Sequence, residues 1–554
     1  MGADRQRDSG TEPGHGRTRG RTPQIRDRRP PAADSRTPGA DRTSGTAGPA
    51  AGAGRTYGAA GPAAGTADRT PPASADGLPG LTPPHGVPVV RLTKAATWQD
   101  RMRGLVRLPV GERPVPERRA RPEEPGPAVP RVLDLTLRIG ELLLAGGEGA
   151  EDVEAAMFGV AHAYGLGRYE PNVTFTLMSV SYQPSLVDHP VTASRTVRRR
   201  GTDYTRLAAV YRLVDDITSR DDVTLEEAYR RLAEIRRNRH PYPRWALTVA
   251  AGTLAGAASL LVGGEWLVFF AAAVGAMLGD RLAWLASGRG LPEFYQFVLA
   301  AMPPAAMGVA LSLADVGLQA SAVITGGLFA LFPGRALVAA VQDGLTGFYI
   351  TAAARMLEVG YLIVGIVGGV LTVLYGGVKL DAGLNPETGL RPVERPATQI
   401  CAAMLLSLAF CVLLQQERHT LALATLNGGV AWVVYGALHD TADVPAVAST
   451  TVAAGLVGLF GQLMSRYRFA SALPYVTAAI GPLLPGSAIY FGLLALAEGD
   501  TDRGLAHLTR AAALAFAIAI GVNLGSELAG LFITTPRRAG ETAGRRAAKR
   551  TRGF

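Results

Sequence analysis

Two kinds of apolar pattern follow one another along the chain. Between residues 128 and 242 the apolar positions come at short periods. Val132, Leu135, Ile139, Leu142 and Leu143 recur at helical spacing until Gly146-Gly147 ends the run. A second helix is predicted over 151–164, closed by Gly165. Residues 173–182 alternate and are rich in β-branched side chains, which predicts one strand, with 191–199 as its partner. Helical spacing returns over 207–217 and 224–237, where Thr224 is placed to cap the helix with Glu227 three residues on. Together these elements predict a small α+β domain.

From residue 243 onward the pattern becomes long apolar runs with short polar punctuation. The runs fall near 245–263, 266–286, 294–313, 318–341 and 357–378, then, after a polar loop at 379–396, near 397–415, 420–438, 443–463, 470–497 and 507–533. Most reach the roughly 20 residues a helix needs to cross the hydrocarbon core. The stretch 345–356 is too short to span and predicts a re-entrant or interfacial piece. The chain is therefore expected to be mainly α, a polytopic membrane protein of about ten transmembrane helices.

Loop charge agrees with that count. With the 128–242 domain in the cytoplasm, the inner loops carry Arg289, Arg335, Arg355, Arg418, Arg466 and Arg468. The outer loops carry Glu265, Asp315, Asp440, Asp443, Glu498, Asp500 and Asp502, with Arg503 as a basic exception and the 379–396 loop balanced in charge. Lys and Arg favour the inner side. The basic carboxy-terminus 535–554 also falls inside, which requires an even number of spans. The expected setting is the cytoplasmic membrane, with both termini in the cytoplasm.

An internal repeat organises the spans. Ala330-Leu-Phe-Pro333-Gly334-Arg-Ala in the fourth run resembles Pro482-Leu-Leu-Pro485-Gly486-Ser-Ala in the ninth, and each follows a Thr- and Gly-containing stretch. Fourth and ninth are five apart, which predicts two five-helix halves, 243–380 and 397–534. An odd number of spans per repeat inverts the second copy, the plan of many secondary transporters. Proline removes an N–H and clashes with the preceding turn. Such a break at membrane depth is tolerated only where protein or a wet cavity covers it. It also presents a helix N-terminus suited to a carboxylate. Pro333, Gly334, Pro485 and Gly486 are thus candidate substrate-site residues.

Composition alters this picture mainly at the ends. Residues 1–127 are Arg, Pro, Gly, Ala and Thr in the main and predict a disordered tail. No apolar signal-peptide core occurs there, so the tail is expected to stay in the cytoplasm. The net charge of +10 sits largely in this tail and at inner span ends, so no specific nucleic-acid partner is implied. The two cysteines, Cys401 and Cys411, lie in one apolar run and form no metal or redox spacing. The eight histidines show no metal-ligand spacing either, and no cofactor is implied.

Ionisable groups within spans are expensive and carry functional hypotheses. Asp280 lies inside the second run beside Arg281, while Asp343, Arg355 and Glu358 cluster after the first Pro-Gly break. Asn523 and Glu527 share one face of the last span, and Asn427 lies in the seventh. Asp280, Asp343, Glu358, Asn427, Asn523 and Glu527 are the candidates for substrate or proton binding. For the amides, interhelical hydrogen bonding is the simpler reading.

The soluble segment carries Leu133-Asp-Leu-Thr-Leu-Arg-Ile-Gly-Glu-Leu-Leu-Leu-Ala-Gly-Gly-Glu-Gly-Ala-Glu-Asp-Val153, Asp188 and Arg195, Thr202-Asp-Tyr-Thr205, Leu225-Glu-Glu-Ala228 and Ile235-Arg-Arg-Asn-Arg-His-Pro-Tyr242. In these motifs, and more weakly in its spans, the chain resembles the threonine/serine exporter family of actinobacteria. The likeness covers about residues 130 to 534, the tail lying outside it. The resemblance implies ten spans, a cytoplasmic amino-terminal domain, and export of threonine and serine driven by the proton-motive force. Similar proteins occur as two subunits, one per half, and such split systems are associated with dicarboxylate export, the alternative substrate class. The family's soluble domain has been described as hydrolase-like, but a membrane hydrolase is disfavoured here. Gly279-Asp280 lacks an aspartyl-protease partner motif, and Ser487 and Ser526 have no intramembrane histidine partner. A sensor anchored by ten repeated spans is disfavoured by their number.

Overall fold

The structure, a computed structural model, describes residues 98–106, 113, 129–185, 187–197, 201, 203–220, 222–237, 242–314, 319–380, 382, 396–468 and 471–532. The tail up to residue 97, the 383–395 connection, the outer-loop Asp315 and the carboxy-terminus from 533 lie outside them.

The amino-terminal layer begins inside the expected tail. Helix α1 (Trp98–Val106) buries Trp98 and Met102, and Leu105 and Val106 pack beside them. These four positions lie on one helical face, and Trp98 meets the ring of Tyr211 at 5.7 Å. An apolar stripe of one or two turns is easily lost beneath a basic composition. Helix α2 (Val129–Ala145) buries Val132, Leu135, Ile139 and Leu143, the residues whose spacing predicts it, and helix α3 (Ala150–Ala163) follows.

The single strand predicted over 173–182 is instead a hairpin, β1 (Tyr169–Thr174) and β2 (Leu177–Tyr182), joined by Phe175 and Thr176. Strand β3 (Val191–Thr196) pairs antiparallel with β2, giving the order β1-β2-β3. Phe175 turns at φ 38° without the Asn or Gly that marks such a turn in sequence. Its N–H donates to Thr351 Oγ1 at 3.2 Å, and that hydroxyl donates to Val173 O at 3.3 Å. The turn is therefore held from a distant helix. Helices α4 (Tyr204–Ser219) and α5 (Leu225–Arg237) complete the layer. Asp203 caps the first by accepting from Arg206 N at 2.9 Å, and Thr224 Oγ1 caps the second by accepting from Glu227 N at 3.3 Å.

The apolar part opens with α6 (Arg244–Leu261), α7 (Trp266–Gly288), α8 (Glu293–Leu313), α9 (Ala320–Leu331), α10 (Gly334–Leu345) and α11 (Tyr349–Lys379). It continues through α12 (Pro396–Leu413), α13 (Arg418–Gly436), α14 (Ala446–Arg468), the short α15 (Leu473–Thr477), α16 (Gly486–Glu498) and α17 (Thr501–Phe532). Among the described residues nine segments are long and apolar enough to cross a membrane, or ten if α9 and α10, bent by 49°, count as one broken span. Leu267, Phe270, Val274, Leu278 and Leu285 of α7 are exposed on its surface. Such an apolar band would drive aggregation in water and suits lipid. The protein is a mainly helical, polytopic membrane protein, with one small sheet among the described residues.

The stretch 345–356 is not a separate piece. Leu345 ends α10, Gly347 turns at φ 94°, and residues 349–356 are the first two turns of α11. It is too short to span by itself, but Thr351 and Arg355 are buried against partners from other elements, so the helix runs on through them.

Candidate functional site

The two Pro-Gly breaks have one backbone geometry. Phe332 and Pro333 sit at φ/ψ of −65°/126° and −81°/47°, while Leu484 and Pro485 sit at −63°/140° and −83°/49°. In each break the glycine N–H donates across the proline, Gly334 to Phe332 O and Gly486 to Leu484 O, both at 2.9 Å. Each proline carbonyl then accepts the first bond of the next helix at 3.2 Å, from Leu337 N and Ile489 N. The proline ring fixes φ and its missing N–H leaves the preceding helix to end. Beyond this local match, the breaks touch. A methyl on Gly486 would fall inside the ring of Phe329, and one on Gly334 would lie 3.0 Å from Leu484 Cδ2.

Beside the breaks lies a buried polar junction, built by the turn between α2 and α3. Arg335, first after the Pro333-Gly334 break, donates through Nη1 to Gly146 O at 3.0 Å. Arg355 on α11 donates through Nη2 to Glu148 O at 2.7 Å. Asp343 near the end of α10 accepts the Ala150 N–H through Oδ1 at 2.8 Å. Arg355 Nε and Asp343 Oδ2 pair at 3.2 Å, with side chains 4% and 0% exposed.

The second break is held by the same domain. The Glu148 carboxylate accepts from Ser471 Oγ and from the Tyr211 hydroxyl. Tyr204 OH and Thr477 Oγ1 lie 3.1 Å apart, and the backbone N–H groups of Tyr204 and Thr205 donate to Leu414 O and Gln415 O. Burial, reinforced by the nearby Asp152 carboxylate, pushes the Glu148 carboxyl up to about 7 against the pull of Ser471, Tyr211 and Arg103. Asp152 itself takes the Arg103 guanidinium, with Nε to Oδ1 at 2.8 Å.

The residues singled out in the sequence divide between this place and others. Pro333, Gly334, Pro485 and Gly486 come together, and Asp343 stands in the junction. Asn427 is buried beside the second break, its Nδ2 donating to Tyr475 O at 3.3 Å and Val457 O at 3.4 Å. Glu358 is partly buried on α11, three residues beyond Arg355. Asp280 lies apart, partly buried, accepting from Thr248 Oγ1 at 2.6 Å across α6 and α7. Asn523 donates to Ala519 O of its own helix at 2.8 Å, and Glu527 is exposed on α17. Among the described residues no group of three or more His, Cys, Asp or Glu gathers to hold a metal.

Arg335, Glu148, Ser471, Tyr204 and Thr351 were not among the sequence candidates. The adjacency of Arg335 to Pro-Gly and the Gly-Gly-Glu-Gly run were the available signals.

A polytopic bundle whose helices are twice interrupted in the same way, beside a buried charged junction, is the architecture of a membrane transport protein. The chain belongs to the threonine/serine exporter family, one of transporters rather than enzymes. Residues 134–375 match the family model described as "Putative threonine/serine exporter", and residues 399–527 match "Threonine/Serine exporter, ThrE". A "Probable threonine/serine exporter" of Mycobacterium tuberculosis (strain ATCC 25618 / H37Rv) is 37% identical over 74% of this chain and 78% of its own. The "Threonine/serine exporter" of Corynebacterium glutamicum is 29% identical over 73% of this chain and 84% of its own. No solved structure matches.

Proposed function

We propose that the protein is a secondary exporter of small hydrophilic metabolites, with threonine and serine as substrates and the proton-motive force as the drive. The observation that carries transport is the matched geometry of the Pro333 and Pro485 breaks. One break kinks a helix for packing, whereas two alike in corresponding spans support alternating access about a central site. Threonine and serine are taken from the names of the relatives.

In this reading the two halves, 243–380 and 397–534, are inverted five-helix repeats, and the amino-terminal layer and both termini face the cytoplasm. Counting α9 with α10 as one broken span gives the even number this orientation needs. Of the intramembrane acids, Asp280 is the better placed to carry the coupling proton. It is packed between two helices and already hydrogen-bonded to Thr248, while Glu527 faces outward.

Efflux from proteoliposomes, with a panel of amino acids and dicarboxylates and an imposed pH gradient, tests all of this. Gradient-dependent movement of threonine and serine is expected. Movement of dicarboxylates alone would transfer the substrate assignment to that class, and no movement of any solute would remove the transport reading.

A further inference from the structure

We propose that Arg335, Asp343 and Arg355 form the seat for the carboxylate and ammonium of a zwitterionic α-amino acid, and that the Gly146–Ala150 turn occupies this seat as a tethered substitute. The proposal rests on the export reading above and names the residues that would read the substrate's invariant part.

The turn offers the junction backbone, not side chains. Two guanidinium groups meet two carbonyl oxygens, those of Gly146 and Glu148, and one carboxylate meets one amide N–H, that of Ala150. The polarity is that of an amino acid's own backbone, with oxygen acceptors at one end and a nitrogen donor at the other. Each seated group is the weaker member of its kind. A guanidinium binds a carboxylate more strongly than a peptide carbonyl, and Asp343 binds an ammonium more strongly than an amide N–H. A free amino acid in place of the turn would set its carboxylate against guanidinium and its ammonium against Asp343, which stands 3.2 Å from Arg355, and so gains charge complementarity.

The glycines of the turn explain how the backbone reaches so far. Gly147 turns at φ 93°, and a Cβ there would lie 2.6 Å from Arg335 Nη1. A Cβ on Gly149 would lie 3.3 Å from Gln342 Nε2 and 3.5 Å from Asp343 Oδ1. A side chain at Gly147 would press on the Arg335 guanidinium from a strained backbone, whereas at Gly149 it takes a branched side chain, larger than a methyl, to crowd Gln342 and Asp343. The seat itself is stiff. The buried Asp343–Arg355 pair holds both groups in orientation, and Arg335 and Asp343 stand at opposite ends of the one short helix that follows the first break. Opposite charges kept dry at this cost are more economically explained by a ligand of matching charge than by packing alone.

The test uses the full chain in lipid nanodiscs. Binding of L-threonine is measured calorimetrically, and amide exchange of residues 146–150 is followed with and without it. Saturating threonine is expected to speed exchange of the Ala150 amide at least tenfold. 1-Amino-2-propanol, which lacks the carboxylate, and 3-hydroxybutyrate, which lacks the ammonium, are expected to leave it unchanged. Arg355→Gln is expected to lose threonine binding. Because that variant could simply fail to fold, Gly149→Val supplies a gain: with the turn displaced, threonine should bind several-fold more tightly, since a larger fraction of the protein is competent.

Threonine binding with unchanged exchange at 146–150, or weaker binding by a folded Gly149→Val, would overturn the proposal. Threonine efflux from liposomes alongside either result leaves export standing and removes only the seat. If no α-amino acid binds or moves, the seat and the assignment of threonine and serine fall together.

Discussion

The hydroxyl of Tyr204 lies 3.1 Å from that of Thr477, joining the first turn of α4 to the residue eight positions before Pro485. Both side chains are buried, at 1% and 6% exposure. Tyr204→Phe and Thr477→Val should each lower stability by about 1 kcal/mol, the net worth of one buried hydrogen bond. The double variant should cost less than the sum, because both single changes break the same bond. Denaturation of the four proteins in one detergent measures this. Additive losses would mean that the two hydroxyls do not depend on each other.

The two glycines of the breaks should differ in their tolerance of alanine. Leu484 can swing away from a new methyl on Gly334, so Gly334→Ala should cost under about 1 kcal/mol. Gly486→Ala drives a methyl into the Phe329 ring and should cost about 2–3 kcal/mol. Phe329→Leu placed beside Gly486→Ala should recover part of that loss. Thermal unfolding of the three variants decides it, and equal sensitivity at the two glycines would contradict the packing described.

Seating of the turn should weaken as pH rises. Glu148 is seated with its carboxyl raised from 4.5 to about 7, so the seated state holds its proton more tightly than the released one. Seating is at full strength below pH 4.5, falls as the pH climbs toward 7, and is constant beyond. Ser471 and Tyr211 face the carboxyl as donors, Asp152 repels its charge and Arg103 offsets it. Between pH 6 and pH 8 the seated-to-released ratio should drop by about tenfold. Spin-label distances between α5 and α16 read the two populations, and Glu148→Gln should flatten the profile.

Asp280 and Glu527 should separate in transport. Asp280→Asn keeps the Thr248 contact in shape but removes the titrating group, and efflux should lose its dependence on the pH gradient. Glu527→Gln changes an exposed position and should leave efflux within about twofold. Assay of both variants in the same liposomes checks the assignment, and the opposite ranking would move the proton path to α17.

Much of this fold is local and was legible as such. The apolar runs that become α6 to α8 and α12 to α14 announce themselves by length, and the α2 stripe by its period. The Pro-Gly repeat pointed to both breaks because proline acts on its own backbone. What escaped was held from far away in sequence. Thr351 makes the β1-β2 turn from 176 residues off, and Asp343 reaches Ala150 across 193. Glu148 and Ser471 are 323 apart. No periodicity records such pairs. For the same reason Arg335 and Arg355 read as inner-loop charges, although Arg355 is buried. Glu527 shows the converse, since a face shared with Asn523 does not say which way that face points.

The Gly146–Ala150 turn bears on Arg335 and Arg355 in the first half and, through Glu148, on Ser471 in the second. It is a rivet through two plates. While it is driven home, neither half can rock against the other without shearing these bonds. A chain severed between Lys379 and Pro396 should still travel as one particle, its two fragments held by the turn together with the packing of α6 on α12 and of α10 on α17.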